Sequence, residues 1–358
     1  MGACMTVVLL TADYPPDVWS GIGVAVHRQA TDLAALGARV NVVVAGRRPG
    51  AQRGSNPEVV TFDVDGSVSA DLDGAAWLHL HSLALTELAL DLRCRLGAKL
   101  VYTVHTQPWL ELTGHPRRRF WLDMQARLLG ACDRVVFLSA AERTSAETLF
   151  SHLPPVHVIP HGVPPPPADV PGREQRRLVV FAGRYALSKG VGLLAECIRR
   201  VRQMSDVRFL IAGGHGDTEG VATIERLARD HGAACEIAQW LPREVLDDRL
   251  AEALLVLVPS RYEPFGLIAL EAMRMGAPVL AANVGGLRET VRMGSGGVLL
   301  DSSDPRQWAE TTVRIAGDPA LWTTLHHQGR RFVDSHYRSS DMAARLLREV
   351  YTDQGLCP

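Results

Sequence analysis

"PSRYEPFGLIALEAMRMGAPVLA", Pro259 to Ala281, sets two glutamates, Glu263 and Glu271, eight positions apart in a largely apolar stretch. Pro264 biases Glu263 away from the helical region, so a helix is expected to start after it. "GLIALEAMRM" is helix-forming, and Gly276 with Pro278 closes it. Glu263 is thus expected in the loop beyond the strand "LLVLVPS", with Glu271 one to two turns into the helix. At about 1.5 Å per helical residue, the two carboxylates are on the order of 10 Å apart. That is too far for two acids sharing one reacting bond, and it suits two grips on one extended ligand. Between them the amides of Phe265, Gly266 and Leu267 stand at a helix N-terminus, which favours an anion. A ligand with a hydroxylated group at each end and phosphates in the middle fits the pattern.

Around this stretch, apolar runs alternate with helical patterns. "RLVVFAGR", "VRFLIAGG", "CEIAQWL", "ALLVLVPS", "APVLAANV" and "GGVLLD" read as strands of the second half. "TVVLLTAD", "RVNVVVAG", "EVVTFDV", "AWLHLHS", "AKLVYTVH" and "RVVFLS" do so in the first. Continuous Val and Leu content marks strands buried on both faces, as in a parallel, doubly wound α/β sheet. "PHGVPPPPADVPGREQRR", Pro160 to Arg177, reads as a stiff polar linker between two such domains. The tail from about Asp304 is helical, and "SSDMAARLLREV" begins with Ser and Asp caps. Ligands of such sheets bind beyond the carboxyl ends of the strands. A site in a cleft between two facing sheets is therefore expected.

The whole chain supports that division. Its 358 residues exceed one typical domain, and 47% are hydrophobic, enough for sizeable cores. Lys and Arg number 38 against 39 acids, so the basic excess of a nucleic-acid binder is missing. No apolar run is long enough to span a membrane. "MTVVLLTADY" reads as a strand and not a signal peptide, although "MGACMT" fits the loose myristoylation pattern. Six scattered cysteines without C-x-x-C suit buried thiols in a reducing compartment. A cytoplasmic location is the expectation.

Three further constellations carry chemistry. In "VVFAGRYALSKG", Arg184 ends a strand and Lys189 follows on a helix for which Ser188 is the expected cap; fork and point charge together suit phosphate oxygens. In "ADYPPDVWSGIGVAVHRQ", Gly21 and Gly23 open a helix after the first strand, where amides approach a phosphate. A dinucleotide fingerprint is disfavoured because Val26 replaces its third glycine and Tyr14 to Ser20 lengthen the turn; Arg47 and Arg48 belong to that rival. In "VYTVHTQPW", His105 stands at a strand end, pointing toward the expected site. "DVD", Asp63 to Asp65, and the nearby "DLD" imitate a metal-binding Asp-x-Asp but read as chance matches, and no cluster has metal-ligand spacing. "HPRRRFW", His115 to Trp121, reads as a solvated helix start, with a phosphate or membrane-surface contact as its alternative.

Together these pieces resemble the retaining GT-B glycosyltransferases, family 4-like, in the group of glycogen synthase, sucrose synthase and the bacterial mannosyltransferases. "PSRYEPFGLIALEAMRMGAPVLAANVGGLRETV" is similar to the group's most diagnostic segment, "VVFAGRYALSKG" to its diphosphate motif, and "YPPDVWSGIGVAVHRQATDLAALGARV" to its glycine loop. "VIPHGV" is similar to its interdomain stretch, with His161 where Asn commonly stands. The resemblance implies two Rossmann-like domains facing across a cleft. It places an acceptor-binding domain at 1–163, a nucleotide-sugar domain at 164–335, and a terminal helix, 336–358, crossing back to the first. Glu263 and the amides of Phe265, Gly266 and Leu267 would contact the donor sugar and phosphate, Glu271 the ribose, Arg184 and Lys189 the diphosphate. His105 would hydrogen-bond the transferred sugar. Gly21 and Gly23 match a loop whose glycines are usually adjacent; here Ile22 separates them. No metal and no cofactor are implied beyond a nucleotide-sugar co-substrate, a UDP-sugar foremost.

The implied reaction moves a hexosyl unit to a hydroxyl of a small or glycan acceptor with retention of configuration. Acceptor contacts are sought in Asp13, Tyr14, Trp19, Gln107 and Trp109 of the first domain. A sugar-nucleotide 2-epimerase and a catalytically silent nucleotide-sugar-binding protein are the rival readings.

Overall fold

The computed structural model describes residues 5–16, 18, 20–45, 56–62, 72–292 and 295–352. Trp19, Arg47, Arg48, "DVD", Asp71 of "DLD" and the first four residues lie outside them. The chain divides into two compact units. Unit 1 comprises Met1–Pro164 and Ser339–Pro358, and unit 2 comprises Pro165–Arg338.

Unit 1 is built on β1 (Thr6–Thr11), β2 (Arg39–Ala45), β3 (Glu58–Phe62), β4 (Trp77–Leu80), β5 (Lys99–Val104), β6 (Arg134–Phe137) and β7 (Val156–Val158). They form one parallel sheet in the order β3-β2-β1-β4-β5-β6-β7. The run "TVVLLT" shows why β1 is central. Alternate side chains leave opposite faces, and here both faces are covered. Val7 and Leu9 join one core with Val26, Ala30 and Leu33 of the helix Gly21–Ala35. Val8 and Leu10 join a second with Ala89 and Leu92 of the helix Thr86–Leu96 and Leu128 and Leu129 of the helix Arg118–Ala131. All four β1 side chains are fully buried, each worth about 1.5–3 kcal/mol relative to exposure. A strand with no solvent face needs no polar alternation, and the sequence shows none.

The C-terminal residues complete the first of these cores. Ala343 of the helix Ser339–Arg345 packs in it, with Leu346, Val350 and Tyr351 after that helix. Ser339 N–H donates to the Val163 carbonyl at 3.0 Å, and Arg345 donates to the Val158 carbonyl at 3.0 Å.

Unit 2 carries β8 (Leu178–Arg184), β9 (Arg208–Gly214), β10 (Cys235–Ala238), β11 (Ala253–Val258), β12 (Val279–Ala282) and β13 (Gly297–Leu300). Its parallel sheet runs β10-β9-β8-β11-β12-β13. Val179, Phe181, Ile211 and Leu255 of the strands pack with Leu194, Ile198 and Val201 of the helix Val191–Met204 and with Trp308 and Ile315 of the helix Pro305–Gly317.

The short strand β7 lies in "VHV", where the prolines around it hid a strand from pattern reading. Within the stretch Pro160–Arg177, Arg176 is fully buried. Its guanidinium donates to the carbonyls of Pro171, Ala253 and Met275 at 2.9–3.0 Å and sits 5.1 Å from the Trp322 ring. A buried guanidinium is tolerable only when its N–H groups find acceptors, and backbone carbonyls supply them here.

Candidate active site

In unit 2, three loops at the carboxyl ends of β8, β11 and β12 converge. β8 ends on Arg184, level with Gly214 of β9. Lys189 follows in the single 3₁₀ turn Leu187–Lys189, and the helix starts only at Val191. Ser188 makes no cap there, contrary to the sequence expectation. Gly190 occupies the cap position in the left-handed region, φ 74°, and a Cβ added to it would lie 1.8 Å from the Pro259 carbonyl oxygen. Glycine alone permits both that conformation and that approach. The Ser188 carbonyl accepts from Arg261 N–H at 2.8 Å, so the lysine turn is stitched to the loop after β11.

That stitching brings Lys189 Nζ to 2.9 Å from Glu263 Oε2, which also accepts from Ser260 Oγ at 3.1 Å. Both charged side chains are largely buried, 19% and 12% exposed. The Glu263 carbonyl accepts from Gly286 N–H at 2.9 Å, tying the loop after β11 to the one after β12. Gly266, φ 92°, then turns the chain into the helix Leu267–Arg274. In its first turn Ala269 N–H donates back to the Gly266 carbonyl at 3.0 Å, while Leu267 and Ile268 have no intrahelical acceptor. Phe265 turns its ring into the interior beside Tyr337, so only its backbone is on offer at this turn.

Glu271 is 5% exposed and bonded to Arg243 Nη1 at 2.6 Å. Arg243 also pairs with Asp247, whose other oxygen lies 3.3 Å from Arg274. Burial alone would lower the Arg243 pKa, but Glu271 and Asp247 outweigh it and hold the guanidinium above its ordinary value. Burial lowers Arg184 instead, with Glu263 and Asp217 pulling the other way. Sequence reasoning missed Arg243 and Asp247. Their signal was there in "PREVLDD", an Arg and an Asp four apart at a helix start.

In unit 1, Gly21 and Gly23 lie in the first turn of their helix, capped by Ser20 Oγ, which accepts from Ile22 N–H at 3.1 Å. Asp13 is buried against this turn and accepts from Ser20 N–H at 3.0 Å and Ser20 Oγ at 2.9 Å. A Cβ on Gly23 would stand 2.8 Å from the Asp13 carboxylate. Tyr14 is a core residue whose hydroxyl meets His27 Nδ1 at 3.1 Å. Gln107 is fully buried, its amide 3.4 Å from the Glu142 carbonyl. Trp109 is half-buried under the Arg118 guanidinium, 3.6 Å from its ring. "HPRRRFW" runs into the helix Arg118–Ala131 with Phe120 exposed.

His105 follows β5 directly, and both of its nitrogens face other histidines: Nε2 lies 3.0 Å from His81 Nδ1, and Nδ1 lies 3.2 Å from His161 Nε2. Sequence reasoning treated His105 as a lone histidine. Among the described residues, no group of three or more His, Cys, Asp or Glu is arranged to hold a metal ion, and no helix is long and apolar enough to cross a membrane.

Two family models match the chain in tandem. The one for Glycosyltransferase Family 4 covers residues 19–165, and the one for Glycosyl transferases group 1 covers residues 167–332. The alpha-maltose-1-phosphate synthase of Mycobacterium tuberculosis is 31% identical over 97% of this chain and 99% of its own. The chain belongs to the group 1 and family 4 glycosyltransferases. A D-inositol 3-phosphate glycosyltransferase of Xylanimonas cellulosilytica is 32% identical over 72% of this chain and 67% of its own. Among solved structures, sucrose-phosphate synthase from Thermosynechococcus elongatus superimposes with a TM-score of 0.81 at 22% identity, covering 96% of this chain and 98% of that one. HepE from Anabaena in complex with UDP and glucose does so at 0.75 and 16%, with the same coverage. The two Rossmann-like units are thus those of the GT-B fold.

Proposed function

We propose that this glycosyltransferase moves a hexosyl unit from a nucleotide-diphosphate sugar, a UDP-sugar foremost, to a hydroxyl of a small phosphorylated acceptor, with retention of configuration. The observation that carries the reading is the meeting of Lys189 with Glu263 at the start of the helix Leu267–Arg274. A cation, a carboxylate and a helix N-terminus in one place suit a sugar diphosphate. HepE has been solved with UDP-glucose, which favours a UDP-sugar. The relatives' names, maltose-1-phosphate synthase and inositol 3-phosphate glycosyltransferase, favour a phosphate-bearing acceptor or product.

In this reading unit 2 holds the donor and unit 1 serves the acceptor. Glu271 accepts from the ribose hydroxyls, and Arg184 and Lys189 neutralise the diphosphate. Lys189 exchanges the Glu263 carboxylate for a phosphate oxygen, one anion for another. Glu263 is then free to orient the sugar hydroxyls. The bond from the anomeric carbon to the diphosphate breaks while the acceptor oxygen bonds the same face. The acceptor's proton leaves with the diphosphate, whose developing charge the two cations stabilise. His105 contacts the transferred sugar. No metal is assigned a step.

The test incubates the purified chain with UDP-glucose, with and without glucose 1-phosphate, and separates the nucleotides by chromatography. UDP released only with acceptor, in a product whose anomeric proton coupling matches the donor's, supports the reading. Interconversion of UDP-sugars without acceptor would make the protein an epimerase. Saturable donor binding without turnover across UDP-, GDP- and ADP-sugars would make it a binding protein.

A further inference from the structure

Unit 1 contains a row of four imidazoles, His79 and His81 buried and His105 and His161 half-buried. His79 and His81, at and just beyond the end of β4, are two residues apart and stack with centroids 4.3 Å apart. His79 is held outside the rest of the row: Nε2 meets Thr103 Oγ1 at 2.6 Å, and Nδ1 meets the Tyr351 hydroxyl at 2.5 Å and Gln29 Nε2 at 3.2 Å. His81, His105 and His161 form a chain through two nitrogen–nitrogen contacts of 3.0 and 3.2 Å, and the His105 and His161 rings stack at 5.0 Å. The far ring, His161, lines a small pocket of about 30 Å³ with Arg28, Gln29 and Ser339.

Each contact in that chain needs one proton, and each neutral ring carries one. If His105 holds its proton on Nε2, it donates to His81 Nδ1, so His81 carries its own proton on Nε2. His105 Nδ1 must then accept from His161 Nε2–H. If His105 holds its proton on Nδ1, all three rings reverse. The neutral chain therefore has only two hydrogen-bonded states, all Nε2–H or all Nδ1–H. A ring in the opposite sense would press two N–H groups, or two lone pairs, against each other inside the protein.

We propose that His81 and His161 are positioning residues for His105, together engaging both of its ring nitrogens and tying its tautomer to their own. This rests on the reading of His105 as a contact of the transferred sugar. When His105 turns one nitrogen to a sugar hydroxyl, it gives up one partner, and the partner it keeps still dictates where its proton lies. Position 161 is where the resemblance implied asparagine. An amide satisfies either nitrogen state by offering its oxygen or its NH₂, so it would hold the ring without linking its tautomer to a third residue. The charged and titratable groups facing the row are Arg28 from the helix Gly21–Ala35, His79 from β4 and Tyr351 from the C-terminal segment. Burial first keeps the rings neutral: with Arg28 beside it His161 is pushed down to about 3, and with neighbouring histidines beside them His81 and His105 lie well below the ordinary value. Among the described residues, His81 Nε2 is buried without a hydrogen-bond partner. The chain thus ends on a nitrogen whose state is set from within.

The test labels the full-length protein with ¹⁵N-histidine and records long-range proton–nitrogen spectra at pH 7.5, assigning rings with His81→Gln, His105→Gln and His161→Asn. The expected result is three neutral rings protonated on the same nitrogen type, with His105 still sharing the sense of His81 in His161→Leu and released to tautomer-averaged shifts only when both partners are removed, in His81→Leu/His161→Leu. A charged His105, rings of opposed sense, or fixed His105 shifts in a folded His81→Leu/His161→Leu protein would each overturn the proposal. Transfer from UDP-glucose to glucose 1-phosphate supplies the second readout. His161→Leu should lower kcat at least tenfold with donor KM within about threefold, and His161→Asn should recover most of it. If His105→Gln leaves kcat untouched while the spectra are as expected, the sugar-contact reading fails and the imidazole chain stands. If His105→Gln abolishes turnover and the spectra contradict the chain, the reverse holds.

Discussion

The Arg243–Glu271 pair sits in a partly dry place, its carboxylate 5% and its guanidinium 25% exposed. Removing the cation leaves a nearly buried carboxylate uncompensated, a loss toward the lower end of the about 3–5 kcal/mol seen for buried pairs because Arg243 itself is reached by water. Arg243→Ala should therefore lower the melting temperature clearly, and Glu271→Gln, which still accepts from the guanidinium, should do so less. Equal melting curves for the two variants would contradict the pairing. In turnover, Glu271→Ala should raise donor KM more than it lowers kcat, because a ribose contact is largely uniform binding. A collapsed kcat at normal KM would remove Glu271 from the ribose. Arg184→Ala and Lys189→Ala should each cost about 100-fold or more in kcat/KM, as for loss of one preorganised oxyanion donor. They should fall short of additivity because both act on one leaving group.

At the scale of elements, the lysine turn is held by a glycine. Gly190→Ala must accommodate φ 74° and a Cβ driven into the Pro259 carbonyl. The left-handed conformation alone costs about 1–2 kcal/mol, and the clash requires the loop after β11 to move. The variant should lose stability and most activity while Gly192→Ala, with open space around its Cβ, keeps both. Equal behaviour of the two would show that the turn does not depend on this packing. Most strands were legible because a fully buried parallel strand writes itself as an unbroken aliphatic run; "TVVLLT" and "ALLVLV" are such runs. β7 was not legible, since three half-buried residues beside prolines carry no period. Glu263, Glu271 and Lys189 stood out because acids and a lysine interrupt apolar or glycine-rich sequence at loop and helix starts. Arg243, His81 and His161 did not. Their partners come from other elements: Arg243 meets a glutamate 28 residues away, and His161 meets a histidine 56 residues away. No local pattern reports such distances.

For the molecule as a whole, the histidine row ties stability to pH. His79 and His161 are pushed down to about 3, and His81 and His105 are lowered well below 6.5, all by burial first. Unfolded histidines near 6.5 bind protons that the folded rings refuse. Stability is therefore fully present above pH 6.5 and falls as the pH drops from there toward the folded values, by up to about 1.4 kcal/mol per pH unit for each ring. Thermal unfolding should thus be nearly constant from pH 7 to 8 and decline steadily from pH 6.5 to 5, before most carboxylates titrate. A flat profile across that window would show that the row takes up protons without unfolding. The central claim is that unit 2 grips a nucleotide-diphosphate sugar through Arg184, Lys189 and Glu271. Calorimetric titration of the full-length chain with UDP tests it most directly. One UDP should bind per chain, with affinity at least tenfold weaker in Arg184→Ala and in Glu271→Ala than in the unaltered protein. Unchanged UDP affinity in both variants, with the fold intact, would contradict the account.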